Sequence, residues 1–245
     1  NMFDLFHDIV TNVSETIRKH ETELDRPVIG VMPAYFPMEL IEAAGGYPVQ
    51  LWGNNLPIEK ADAYLQSYCC SVARSVMELE LREISPMVKA YAFTSLCDTL
   101  INLREIYRRV FTKPTLELSI PITRTAEARK NYLTSVVKSI THGLTEITGK
   151  KITPASLSAA ADLYGRTRSL QRRFYRIRRE KPGLVGNHDF YTVIGELGTD
   201  PSRRVQASAE SEYSLGQYDD THLWSLNGRV RVRLSNRLSL SGTAY

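Results

Sequence analysis

Three cysteines carry the most reactive side chains in this sequence: Cys69, Cys70 and Cys97. Cys97 follows the apolar run Lys89-Ala90-Tyr91-Ala92-Phe93-Thr94 and opens a helical pattern from Asp98 to Val110. Cys70 opens another, over 70–84. A helix N-terminus favours negative charge, and so favours a thiolate over a thiol. In an open α/β sheet, ligands collect at the carboxyl ends of the strands. Two thiolates at two such junctions on one sheet edge can ligate one metal centre. The spacing matches no standard metal motif, and cysteine is also a common buried core residue. Position alone leaves both readings open. Adjacent cysteines rarely pair, and an odd count is a poor disulfide framework, so a reducing, cytoplasmic setting is expected.

Other chemistry-bearing residues are weaker. Arg166, Arg168, Arg172, Arg173, Arg176, Arg178 and Arg179 crowd one helical stretch. They suit CoA phosphates, a redox partner or RNA, or simply a solvated helix face. Only Phe174 and Tyr175 interleave with them, so no nucleic acid is expected as a partner. His188-Asp189 is a base–orienter pair by type, but Asn187 or Asp189 equally suits a cap for a helix over 190–197. There is no glycine-rich phosphate loop, no Ser/His/Asp arrangement and no zinc-like Cys/His spacing.

The elements that must position the cysteines alternate. Phe3, Phe6, Ile9, Val10, Val13 and Ile17 predict an amphipathic helix over 2–22. Strands are predicted at 28–32, 48–52, 89–94 and 116–118, with helices at 38–44, 70–84 and 98–110 between them. That order predicts a parallel sheet flanked by helices, an α/β fold. A long helical region follows. Leu133, Val136, Val137, Ile140, Leu144 and Ile147 form one apolar stripe, and Gly149 ends that helix. Thr153-Pro154 restarts a second, which Lys181-Pro182-Gly183 ends.

The last forty residues change character. Val230, Val232 and Leu234 alternate with Arg229, Arg231 and Arg233, and Leu238 and Leu240 alternate with serines. This predicts antiparallel strands and resembles outer-membrane barrel strands more than anything upstream. It suits a β appendage, a fused unrelated segment or a joined sequence. The expected division is an α/β cluster-binding subdomain at 1–124, a helical region at 125–202 and a β-strand-like tail at 203–245.

The chain has 245 residues, 42% hydrophobic and 24% charged, with net charge +4. These values fit a globular protein with a real core and exclude a disordered chain. No apolar run reaches the ~20 residues of a membrane helix, so no membrane contact is expected for residues 1–202. The start, Asn1-Met2-Phe3-Asp4, lacks the pattern of a signal peptide and is not a Met, as in a fragment or trimmed product.

Four segments in order resemble the benzoyl-CoA reductase / 2-hydroxyacyl-CoA dehydratase family, over about residues 5–200. The first runs from Val31 to Gly45, with Pro37-Met38-Glu39-Leu40 entering a helix that ends Ala43-Ala44-Gly45, followed by Pro48-Val49. The second is Ser67-Tyr68-Cys69-Cys70-Ser71, similar to the family's first cluster-ligand segment. The third is Ser95-Leu96-Cys97-Asp98, similar to its second. The fourth is Leu144 to Thr153. The resemblance implies that Cys70 and Cys97 ligate a [4Fe–4S] cluster. Cys69 stands where the family usually has a hydrophobic residue and ranks below them. It implies an iron–sulfur subunit of an enzyme that passes one electron to an acyl-CoA thioester, through a ketyl-like radical. Some relatives carry a cysteine near Pro33; its absence, with Met32-Pro33-Ala34-Tyr35-Phe36-Pro37, points to aromatic (benzoyl-CoA type) reduction. The alternatives are 2-hydroxyacyl-CoA dehydration, a double-cubane relative, and a cluster-free, non-catalytic interaction protein. Implied partners are the acyl-CoA substrate, a homologous second subunit and an ATP-dependent electron-donating activator. The family's usual second α/β half, with a third cysteine, has no counterpart here.

Overall fold

Val28-Ile29-Gly30-Val31 is apolar throughout, as a strand must be when helices cover both faces of its sheet. In a computed structural model of the protein it forms β1 (Val28–Val31), buried at every position. The structure describes residues 12, 14–15, 17–18, 22, 25–32, 35–53, 57–122, 125–191 and 194, and the backbone of 205–206, 229–234 and 238–243. The chain divides into two compact units, Val13–Asp162, and Asn1–Asn12 with Leu163–Tyr245.

The first unit is the predicted parallel sheet. After β1 come α1 (Met38–Ala43), β2 (Tyr47–Gln50), a short 3-10 turn (Ala61–Ala63), α2 (Ser71–Leu79), β3 (Val88–Thr94), α3 (Asp98–Val110) and β4 (Thr115–Leu118). The strand order is β2-β1-β3-β4, and all three pairings are parallel. β2 starts one residue earlier than predicted and ends at Gln50. Leu51 continues the pairing through its N–H to Val31 O at 2.9 Å, while Trp52 is exposed.

Side chains alternate across a strand, so the central strands β1 and β3 feed two cores. One core gathers Val28, Tyr47, Val49, Tyr91 and Phe93 from the sheet with Ala73, Val76 and Met77 of α2 and Leu103 and Tyr107 of α3. The other gathers Ile29, Val31, Ala90, Ala92 and Leu116 with Leu40 and Ile41 of α1 and Ile140 and Leu144. β3 keeps this division only by a bulge. Val28 pairs with Val88 but Ile29 pairs with Ala90, so Lys89 is the extra residue. It is the exposed position of the strand. Gly30 lies opposite Tyr91, and a Cβ there would stand 3.1 Å from Tyr91 Cδ1 and 2.8 Å from Leu51 Cδ1. The Tyr91 ring meets Tyr107 edge-on, with centroids 4.9 Å apart.

The two long helices form as predicted. α4 (Ala126–Thr148) ends at Gly149, whose φ of 70° is left-handed. Of its stripe, Ile140 and Leu144 are buried, but Leu133 is exposed. Val136 and Val137 still pack against the second core, so the apolar period extends about one turn beyond it. α5 (Pro154–Glu180) starts with a reciprocal cap: Ser156 N–H donates to Thr153 Oγ1 at 3.1 Å, and Thr153 N–H to Ser156 Oγ at 3.0 Å.

In the second unit, β5 (Val205–Gln206), β6 (Arg229–Leu234) and β7 (Leu238–Thr243) form an antiparallel sheet in that order. β6 and β7 are the predicted hairpin; β5 was not foreseen. Most of the predicted helix over 2–22 lies outside the described residues. Within it, residues 14, 15, 17, 18 and 22 are helical and Ile17 is buried.

Leu144→Ala leaves a cavity in the second core and is expected to cost about 2–5 kcal/mol, while Leu133→Ala, on the same helix, costs under ~0.5 kcal/mol. Denaturant midpoints of the two variants check this.

Candidate functional site

Every strand of the sheet points the same way, so all four strand-to-helix connections leave from one edge. Cys70 and Cys97 both lie there. Cys70 is the N-cap of α2 and Cys97 the N-cap of α3, both with extended backbone (ψ 147° and 163°). Neither makes a side-chain cap hydrogen bond. Their carbonyls start the helices instead: Arg74 N–H donates to Cys70 O at 3.2 Å, and Ile101 N–H to Cys97 O at 3.1 Å. Serine, threonine or aspartate would usually fill such a position to satisfy an orphan N–H. A cysteine spends that capping energy and leaves a thiol at the helix mouth. Both thiols are free and exposed.

Cys69 differs. It is half-buried, packs against the first core and points its Sγ towards Gln66 Oε1 at 3.7 Å. The structure therefore separates the adjacent pair into one core-facing and one solvent-facing thiol.

The twenty-residue connection before Cys70 is tied to α2 by side chains one turn apart. The Glu78 carboxylate, wholly buried, accepts the N–H groups of Ala61 at 2.8 Å and Glu59 at 3.0 Å. It also accepts from Arg82, whose guanidinium reaches Glu59 Oε2 at 2.8 Å and Pro57 O at 3.2 Å. Burial alone would raise the Glu78 pKa. The Ala61 N–H, Arg82 and the Glu59 N–H outweigh it and hold the group at about 2. Arg74 pairs with Asp62 in the same connection.

The edge is also apolar. Tyr35 after β1, Trp52, Tyr64 and Tyr68 after β2, Leu96 after β3, and Ile120 and Ile122 after β4 are all exposed. Tyr68 and Tyr35 are more than four-fifths exposed and Ile122 almost fully so. Tyr35 holds a left-handed φ of 53°, uncommon for an aromatic residue.

The weaker candidates do not assemble a site. His188 Nδ1 lies 3.5 Å from Asp189 Oδ1 with both side chains exposed. Asn187 is already helical and accepts from Arg178 rather than capping. Arg178 leaves the arginine row to sit 4.3 Å over the Phe190 ring. Sequence reasoning missed the buried carboxyls Glu78 and Glu80. The signal for Glu80 was there: Ala73, Val76, Met77 and Glu80 recur at three- and four-residue spacing, which puts a carboxyl inside an apolar stripe.

A parallel α/β sheet with two exposed thiols at helix N-caps on its carboxyl edge defines a thiol-bearing α/β subunit as the class. The family model described as 2-hydroxyglutaryl-CoA dehydratase, D-component, matches residues 33–233, so the chain belongs to that family. It is 33% identical over 184 residues to the (R)-phenyllactyl-CoA dehydratase beta subunit of Clostridium sporogenes, covering 75% of this chain and 49% of that protein. It is 32% identical over 177 residues to a benzoyl-CoA reductase subunit of Thauera aromatica, covering 71% and 46%. It is 26% identical over 187 residues to the (R)-2-hydroxyglutaryl-CoA dehydratase beta subunit of Acidaminococcus fermentans, covering 75% and 49%. The chain thus spans about half the length of these relatives. Among the described residues no three His, Cys, Asp or Glu side chains are grouped as a metal site, and no helix is long and apolar enough to cross a membrane.

In the native protein a small thiol reagent is expected to label Cys70 and Cys97 promptly and Cys69 at least several-fold more slowly. Peptide mass spectrometry after timed alkylation checks the order. Cys69 labelled as fast as the other two would show that it is not held against the core.

Proposed function

We propose that this chain is an iron–sulfur subunit of an enzyme that reduces an acyl-CoA thioester by one electron, with Cys70 and Cys97 as two ligands of a [4Fe–4S] cluster. One observation carries the reading: both cysteines cap helices that leave the same edge of one parallel sheet, and both thiols are exposed. A [4Fe–4S] cluster takes four ligands. The donor set therefore fits in part, and the other ligands come from outside the described residues. A homologous second subunit, the remaining length typical of the relatives, or an exogenous ligand can supply them. When bound, the cluster supplies the low-potential electron that the thioester accepts. The chain's own part is to present two thiolates at helix mouths, hold the connection before Cys70 through Glu78 and Arg82, and offer an apolar rim that excludes water once covered. An ATP-dependent activator as electron source, and a reducing, cytoplasmic setting for exposed thiols, belong to the same proposal.

Aromatic acyl-CoA reduction of the benzoyl-CoA type is the preferred reaction. By their names, two relatives at 32–33% identity act on acyl groups that carry an aromatic ring. Exposed Tyr35, Trp52, Tyr64 and Tyr68 suit such a ring by stacking. The second reading is 2-hydroxyacyl-CoA dehydration, favoured by the family model and by the dehydratase subunits among the relatives.

Expressed anaerobically with a full-length second subunit, the wild-type chain is expected to carry iron and acid-labile sulfide with a broad visible absorption. Cys70→Ala and Cys97→Ala each lose most of both, while Cys69→Ala keeps them. A folded wild-type complex without iron would leave the family likeness as scaffold only. Turnover of a benzoyl thioester against a 2-hydroxyacyl thioester then separates the two reactions.

A further inference from the structure

Among the described residues two carboxyls are buried, and Glu80, unlike Glu78, has no cation hydrogen-bonded to it. It follows Leu79 at the end of α2, where the helix widens into a single π-helical turn (Glu80–Ile84). It is 1% exposed. The apolar side chains around it leave few polar atoms. Tyr91, from β3, donates its hydroxyl to Glu80 Oε2 at 2.7 Å and in turn receives a hydrogen bond from Ser85. Lys113, in the turn after α3, is the nearest cation acting on Glu80, but its Nζ donates to the carbonyls of Val88, at 2.7 Å, and Ser85. Within the first core, Glu80 Oε1 and the hydroxyl of Tyr107, from α3, are buried without a hydrogen-bond partner. On the turn itself, Arg82 is engaged by Glu78 and Glu59, and Glu83 by Ser14.

These groups suit a neutral carboxyl and not a carboxylate. A carboxylate would place a full charge in an apolar core with one neutral donor, which costs several kcal/mol. A neutral acid keeps the Tyr91 bond at Oε2 and carries its proton on Oε1. Protonation thus removes the charge that Oε1 would otherwise hold without a hydrogen-bond partner, in a core where the Tyr107 hydroxyl has none either. A π turn is rare, and its single-turn form inside a helix recurs at functional sites. Here it closes through Ser85 N–H to Glu80 O at 3.2 Å, so its closing carbonyl and its buried carboxyl belong to one residue.

We propose that Glu80, Tyr91 and Tyr107 form a protonation-dependent latch, which holds the π turn closed while Glu80 carries a proton and loosens it when the proton leaves. Burial raises the Glu80 pKa to about 7, against opposing pulls from the Tyr91 hydroxyl and the Lys113 charge, so the latch operates near neutrality. The folded pKa lies above the unfolded value of 4.5. The latch is therefore fully closed at low pH and is lost as pH rises through about 7. Because α2 carries Cys70 at its other end, this proton sets how firmly the cysteine-bearing helix is anchored. The inference concerns this chain alone and does not depend on any cluster.

The test is native-state hydrogen exchange of the 245-residue chain, read at the Ser85 and Met87 amides between pH 5 and 8.5 and corrected for intrinsic exchange. Wild type is expected to lose protection at these amides on the order of 100-fold, about tenfold per pH unit from 5 up to the folded pKa of about 7 and little beyond it, which puts the logarithmic midpoint at about 6. Glu80→Gln, which keeps a neutral side chain at every pH, is expected to stay protected throughout. Tyr91→Phe removes the hydrogen bond that favours the charged form, so its midpoint moves upward. Protection independent of pH in wild type, the same pH dependence in Glu80→Gln, or an unchanged midpoint in Tyr91→Phe would each overturn the latch. The Tyr91→Phe arm stands even where Glu80→Gln fails to fold.

Discussion

A parallel sheet has two faces, and neither can be left to water when its connections are helical crossovers. In this chain the assignment of faces rests on β3. Ala90 and Ala92 give one face small residues, against which α1 and α4 close. Tyr91 and Phe93 give the other face large rings, which meet Tyr107 of α3. The exposed Lys89 bulge lets Val88 join the ring side although it stands three residues before Tyr91. Were Lys89 paired regularly instead of bulged out, Val88 would turn to the other core, since a one-residue slip exchanges the faces. The strand order β2-β1-β3-β4 then follows from helices on opposite faces, with the reversal of direction between β1 and β3.

Parallel pairing has a chemical consequence. Each helix starts at the carboxyl edge and runs back, so helix N-termini gather where strands end. Two of those N-termini are capped by cysteines whose thiols do no capping. Stability was available there from serine or aspartate, at about 1 kcal/mol each. α2 recovers part of it elsewhere. Glu78 and Arg82 bind the preceding connection along one side of the helix, and Met77 and Val76 lock the other side to the sheet. The helix is held along its length while its first residue faces solvent.

Much of this was legible in the sequence. Apolar runs gave β1, β3 and β4, and Gly149, Thr153-Pro154 and Gly183 bounded the long helices, because these signals are local and steric. The N-cap placing of Cys70 and Cys97 was legible from local pattern too: Cys97 stands between an apolar run and a helical period, and Cys70 opens a helical period. What escaped depends on partners distant in sequence. The Lys89 bulge exists only because β1 pairs across it. Leu133 carries the right period, yet the surface it needs ends before it. The π turn escaped as well, and Tyr91, the hydroxyl partner of Glu80, stands eleven residues further on, where no window over α2 reaches. Asn187 turned from capping to Arg178 because a guanidinium stacked on Phe190 brings a donor within its reach.

Two cysteines would supply only part of the four ligands of the proposed cluster, and the same edge carries several exposed apolar side chains. These are one fact seen twice. Scattered exposed apolar residues are ordinary, but each strand-to-helix connection of this sheet contains at least one, on the edge that carries the two thiols. An electron delivered at low potential has to be kept from water and from protons, so the proposed chemistry needs a closed, dry pocket over those sulfurs. Apolar side chains around the cysteines favour closure by whatever brings the missing ligands, since covering Tyr35, Tyr68 and Ile122 releases water at roughly 25 cal/mol per Å² of apolar surface buried. Ligand completion and burial are thereby coupled. A second protein surface that supplies thiolates also supplies dryness, and one that supplied only one of the two would leave either an open cluster or a sealed pocket with nothing to do.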